Sequence, residues 1–223
     1  MKLAEATKRI RLRVSEGKFS SGKVMTEDEK RYWAGEADVI DRTLPEFRLW
    51  KYVPPSLAFE KEITLDLGKR EVRLLWLGRG NTAGDAITWV PDAKVLVTGD
   101  TVVFPAPYGF GSYYSEWPAV LQQMIEMNAA AIVPGHGPVM KDYAYFKELI
   151  ALFNDLTRQV KQAVGEGLTL EQTQKKVTMA EWRKRLAGEH KQRKADFESY
   201  FVSPGVKRAY EEATGKMKEE GIE

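Results

Sequence analysis

The sequence predicts an α/β (α+β) chain, and three observations carry that reading. Between Glu62 and Thr98, short apolar runs alternate with polar residues at the two-residue period of strands. Within Leu74 to Val139, three apolar runs each end in a polar turn carrying glycine. After Lys141, apolar residues recur at helical spacing almost to the end of the chain.

Taken in order, Leu3, Ala6, Ile10 and Val14 form the apolar stripe of a short helix over residues 1–15. A break follows at Gly17 to Gly22. Thr26-Glu27-Asp28-Glu29 has the pattern of a capping box and opens a helix expected to run to about Ile40. Leu44 to Leu57, with Pro45, Pro54 and Pro55, reads as extended linker. Ile63, Leu65 and Leu67, the Gly68-Lys69 turn and Val72 to Leu77 make a hairpin. Ala86 to Val90 and Lys94 to Thr98 make a second, around Pro91-Asp92-Ala93. Thr101 to Tyr114 is expected as an aromatic, glycine-rich loop, Glu116 to Met127 as a helix, and Ala130 to Val133 as a buried strand.

The remainder is expected to be helical. Tyr145, Leu149, Leu152, Phe153, Leu156 and Val160 form one long stripe that ends near Gly165. Shorter helices follow from Thr169, over Met179–Leu186, over Phe197–Phe201 and over Pro204–Ala213. The domain expectation is therefore a helical and linker segment (1–60), a strand-bearing segment (61–140) and a helical extension (141–223).

Composition narrows the classes of function. A net charge of +2 gives no reason to expect nucleic acid or an anionic membrane as partner. The absence of cysteine excludes disulfides, thiolate metal sites and cysteine nucleophiles. The charged start, Met1-Lys2-Leu3-Ala4-Glu5-Ala6, lacks the apolar core of a signal peptide, and no run has the length of a membrane span. Cytoplasmic is the default expectation.

The candidate chemistry lies at three strand ends, where α/β sheets present ligands. They are Gly78-Arg79-Gly80-Asn81-Thr82-Ala83-Gly84-Asp85, then Val97-Thr98-Gly99-Asp100, then Pro134-Gly135-His136-Gly137. In this order and spacing they resemble the C-terminal half of the metallo-β-lactamase fold superfamily. That family reads G-H-T-x-G-D, G-D and P-G-H-G at these places. The resemblance runs over roughly residues 60–215. It implies half of an αββα sandwich with a helical C-terminal extension. It also implies zinc or another divalent metal at Asp100 and His136, with Asn81 and Asp85 as further candidate donors. Asp100 and His136 are then the catalytic residues, and Tyr108, Tyr113 and Tyr114 in the aromatic loop are candidates to contact substrate.

The departures are equally specific. The family's H-x-H-x-D-H motif is absent, since the only histidines are His136 and His190, and Asn81 stands where G-H-T-x-G-D has its histidine. A catalytic zinc takes three protein ligands and keeps one position open for the water it activates. Each candidate also has a structural alternative. Asp85 can tie down the glycine turn, Asn81 can accommodate a left-handed backbone, Asp100 can cap its loop, and His136 can be held locally. His190, in a charged stretch, is assigned no role.

Two readings of function follow. One, implied by the resemblance, is a truncated or degenerate hydrolase of an ester, thioester, lactone or lactam, in which Asp100 and His136 bind a metal whose hydroxide attacks the carbonyl. The other is a non-catalytic, self-associating scaffold, or a fragment of a longer hydrolase. Leu75, Leu77, Ile87, Trp89, Leu96 and Val97 need cover on both sheet faces, and burying such side chains contributes about 1.5–3 kcal/mol each. A homodimer is the expected cover, with the N-terminal helices folding back as the alternative.

Overall fold

A pair of helices and a sheet-bearing body make up the two units, Met1–Ala58 and Phe59–Glu223, of the computed structural model, which describes residues 2–18, 24–49, 51 and 53–217. In the first unit, helix α1 (Lys2–Glu16) packs on α2 (Glu27–Leu49). The expected capping box is present. The Thr26 N–H donates to Glu29 Oε2 at 2.8 Å, and the Glu29 N–H donates to Thr26 Oγ1 at 3.2 Å. Between the helices Gly17 turns the chain at φ +66° and its carbonyl accepts from the Met25 N–H. The rest of the expected break, residues 19–23, lies outside the described residues.

Helix α2 outruns its expected end near Ile40 and takes Pro45 into its interior. A proline there removes one helical hydrogen bond. Contacts on both sides of Ile40 offset that loss. Arg11 of α1 bonds Asp38 at 2.8 Å and Asp41 at 2.6 Å, and the Thr43 hydroxyl donates to the carbonyls of Val39 and Ile40. The extended linker therefore starts after Leu49 rather than at Leu44.

The second unit is built on one sheet in the order β1-β2-β3-β4-β5. Strands β1 (Glu62–Asp66), β2 (Glu71–Leu75), β3 (Ile87–Val90) and β4 (Val95–Val103) form an antiparallel meander. Helix α3 (Trp117–Glu126) then crosses over to β5 (Ala131–His136), which lies parallel to β4. Adjacent residues of a strand face opposite ways. Ile87, Leu96 and Ile132 are accordingly buried with the helices, while the opposite row of Leu74, Thr88, Val97 and Val133 is half-buried.

The covering layer is α3 with α4 (Ala144–Gly165), α5 (Leu170–Lys176), α6 (Ala180–Ala187), α7 (Lys191–Asp196), a π-helical segment (Phe197–Val202) and α8 (Ser203–Ala213). Every residue of the predicted α4 stripe is buried. Trp117 stacks on Phe153 with ring centroids 4.3 Å apart, and its indole N–H donates to the Thr101 carbonyl. Thr169 and Gln172 form a complete capping box at α5. The charged stretch around His190, which fits an exposed helix from its sequence, forms α7, and the His190 side chain, assigned no role, stands at its N-cap.

One strand departs from expectation in a way that matters for the site. Strand β4 continues to Val103, through residues expected as loop. Gly99, at φ +52°, breaks the pairing register with β5 on either side of it, and pairing resumes at Val103 opposite His136. Only glycine adopts that backbone without strain. At the sheet's outer edge the chain beyond Pro138 doubles back, and Ile132 and Met140 exchange both backbone hydrogen bonds at 2.8 Å. Among the described residues no helix is long and apolar enough to cross a membrane.

Removing the ring under Trp117 tests the helical layer. Phe153→Ala is expected to destabilise the second unit by about 3–5 kcal/mol, read from urea denaturation followed by tryptophan fluorescence.

Candidate functional site

The bulge at Gly99 and the end of β5 place two candidate residues side by side. His136 Nε2 lies 3.5 Å from Asp100 Oδ1, with the two side chains 53% and 44% exposed. Asp100 thus stands within β4, at its bulge, rather than beyond the strand end. Gly135 makes the approach feasible, since a Cβ there would lie only 2.7 Å from the Gly99 carbonyl carbon and oxygen and would press on the Asp100 carboxylate. Gly137, at φ +107°, leaves equally little space against Phe104.

The glycine turn before β3 is held independently. Asp85 accepts from the Thr82 N–H at 2.8 Å and the Thr82 hydroxyl at 2.7 Å. Burial pushes its carboxyl above the usual range against these bonds, and the nearby charge of Asp100 adds to the rise. The Gly80 carbonyl accepts from the Tyr113 N–H, and Arg79 donates to both oxygens of Glu116. Asp85 therefore does the turn-stabilising work its sequence context suggests. Asn81, half-buried, belongs to the same turn.

Among the described residues, no group of three or more His, Cys, Asp or Glu side chains could hold a metal ion. Asp100 and His136 make a two-donor bite, and Asp85 does not complete a cluster with them. A catalytic zinc needs three protein ligands, so the described residues do not by themselves fit one. An adjacent carboxylate and imidazole can still share a loosely held cation, or pass a proton to and from water.

The aromatic loop divides. Tyr108 reaches the site, its ring edge-on to His136 at 5.5 Å, and burial followed by the charge of Asp100 pushes its hydroxyl above the usual range. Tyr113 and Tyr114, expected to contact substrate, are only 3% and 1% exposed and act as packing residues. Tyr113 lies beneath the Arg79 guanidinium and Tyr114 packs on Phe153.

Beside His136 opens a cleft of about 300 Å³ walled by Tyr108, Phe104, Leu186, Arg193, Phe197 and Tyr200. The last four come from the C-terminal helices, to which the sequence reading gave no role. Phe197, Tyr200 and Phe201 do recur at the i, i+3, i+4 spacing of one helical face, which predicts their helix, but nothing in that spacing sets the helix beside His136. They lie in a π-helical segment. The Tyr200 carbonyl accepts from the Gly109 N–H at 2.7 Å, tying this turn to the aromatic loop.

A sequence model described as "Metallo-beta-lactamase superfamily" matches residues 18–136, more than half of the chain. The chain belongs to the metallo-beta-lactamase superfamily. The match begins well upstream of β1, earlier than the motifs alone imply, and ends at His136. Among relatives, the metallo-beta-lactamase type 2 of Bacillus sp. (strain 170) is 27% identical over 94 residues, and that of Bacillus cereus is 26% identical over the same length. Each alignment covers 40% of this chain and 37% of the relative. The chain therefore matches well under half the length of these curated relatives. The fold is similar to that of a stereoselective inverting sec-alkylsulfatase from Pseudomonas sp., with a TM-score of 0.58 and 15% identity over 73% of this chain and 27% of that one.

Gly135→Ala probes the close approach of β5 to the bulge. The clash is expected to cost about 1–3 kcal/mol and to separate Asp100 from His136. Urea denaturation reads the first effect, and the His136 ring resonances in NMR spectra read the second.

Proposed function

We propose that the chain is a metallo-beta-lactamase-type hydrolase in reduced form, acting on the carbonyl of an ester, thioester, lactone or lactam. Asp100 and His136 are the reacting pair, and the cleft beside them seats the body of the substrate. The observation that carries this reading is the Asp100–His136 pair at the rim of an apolar cleft. The strand bulge at Gly99 and the close approach of Gly135 both support that placement. In this reading His136 withdraws a proton from attacking water, Asp100 steadies the charged imidazole, and Tyr108 bounds the substrate on the side away from Asp100.

Two donors bind a divalent ion more weakly than the three of a catalytic zinc centre. Metal content of the tag-free protein, measured by plasma mass spectrometry beside His136→Ala, should show zinc or another divalent metal well below one per chain, falling to background in the variant. Hydrolysis of p-nitrophenyl butyrate should fall in parallel. No metal in either protein together with identical turnover would overturn the hydrolase reading.

The donor count and the uncovered sheet row favour a second reading, a self-associating scaffold without catalysis. Leu74, Val97 and Val133 are half-buried, and Leu65 and Leu67 are exposed at 37% and 65%. Apolar rows of this kind are commonly covered by a partner. Light scattering at micromolar concentration should then give a mass about twice the 25.3 kDa of the chain, and a monodisperse monomer would count against the scaffold.

A further inference from the structure

Ten of the twelve residues lining the cleft beside His136 are apolar, aromatic or imidazole, and the other two are Arg193 and Asp196. Asp196 is engaged, since its Oδ1 accepts from Gln192 Nε2 at 2.8 Å. Lys194, next to Arg193 in α7, is engaged by Glu189 at 2.7 Å. The Arg193 guanidinium has no hydrogen bond or ion pair among the described residues, although its backbone N–H is taken by His190. An arginine fork left open at an apolar cleft is suited to a carboxylate, which it can hold with two parallel N–H···O bonds.

The walls around it are shaped for an apolar body. Phe197 is fully buried beneath the cleft, and Tyr108, Phe110 and Tyr200 contact one another edge-on or tilted at centroid distances of 5.8–6.3 Å. Because these rings pack on each other, they offer a surface rather than a cage for a cation. Phe110 and Tyr200 are nevertheless 55% and 42% exposed. The Phe197 and Tyr200 positions come from a π-helical turn, a distortion that recurs at functional sites. The volume, about 300 Å³, is at the small end of ligand sites.

We propose that this cleft recognises a small organic anion, an alkyl or aryl body ending in a carboxylate, with Arg193 holding the carboxylate and the aromatic wall holding the body. The assignment rests on reading the cleft as the substrate seat. It narrows the substrates to those carrying a carboxylate apart from the bond that reacts at His136. Two acidic groups lie near the cleft: Asp100 faces His136, and Asp196 of α7 is held by Gln192, so the carboxylate end is set on the Arg193 guanidinium and away from both.

Hexanoate and its neutral counterpart hexanamide, titrated into the intact protein without added metal and followed by saturation-transfer NMR, test the assignment. Hexanoate should bind more tightly than hexanamide. Arg193→Ala should weaken hexanoate about tenfold and leave hexanamide unchanged, and Arg193→Lys should retain part of the preference. Circular dichroism of both variants checks that α7 remains folded, as expected for an exposed position. Equal affinity for acid and amide, no binding of either, or an acid preference untouched by Arg193→Ala would each overturn the proposal. Hexanoate preference with no ester turnover would leave the anion site standing and remove only the hydrolase reading. Turnover without that preference would do the reverse.

Discussion

The parallel pairing of β4 with β5 is the constraint on which the rest of the second unit depends. Parallel strands need a crossover, and α3 supplies it, bringing Trp117 beneath Thr101 and onto Phe153 of α4. The same pairing cannot keep a uniform register, because Gly99 turns through a left-handed conformation. The result is one continuous strand that is regular where it buries Leu96 and Thr98 and irregular where it presents Asp100. Packing and site geometry are thus separated by a single residue. A glycine on each strand, Gly99 and Gly135, is what lets the backbones meet there.

Superfamily membership and site chemistry pull in different directions. The sheet, its bulge and the histidine turn are all formed, and they set Asp100 beside His136. The donor set, by contrast, stops at two among the described residues. Asp85, the nearest additional carboxylate, is committed to Thr82 and to the backbone of its own turn. Those bonds fix the orientation of its carboxylate toward its own turn, and it forms no cluster with Asp100 and His136 among the described residues. The arrangement is more consistent with a binding cleft that has kept its walls than with a full metal centre.

Much of this was legible in the chain. Alternation at Ile63–Leu67 and Ile87–Val90 marked strands, although only β3 has a buried residue in Ile87, and the α4 stripe marked a helix because its whole face is buried. The nearness of Asp100 and His136 followed from motif order. What was not legible depended on interactions distant in sequence. The length of α2 rests on Arg11, about thirty residues away, and the continuation of β4 past Asp100 rests on pairing with β5. Tyr113 and Tyr114 looked like loop aromatics because nothing local shows that Arg79 and Phe153 cover them. The contribution of Arg193 and Tyr200 was hidden for a similar reason, since nothing local shows that their helices come to lie beside His136, far away in sequence.

The backbone loop that exchanges hydrogen bonds between Ile132 and Met140 has a consequence for solution behaviour. A last strand normally offers its unpaired amides as a template on which another chain can grow a sheet, the starting geometry of fibrils. Here the protein's own return segment sits on that template at Ile132. At the opposite border, β1 exposes Glu62 and Asp66, whose charges repel a like strand laid alongside. With both borders guarded, the sheet is directed to meet partners broadside, through side chains, so that any assembly it forms closes rather than propagates.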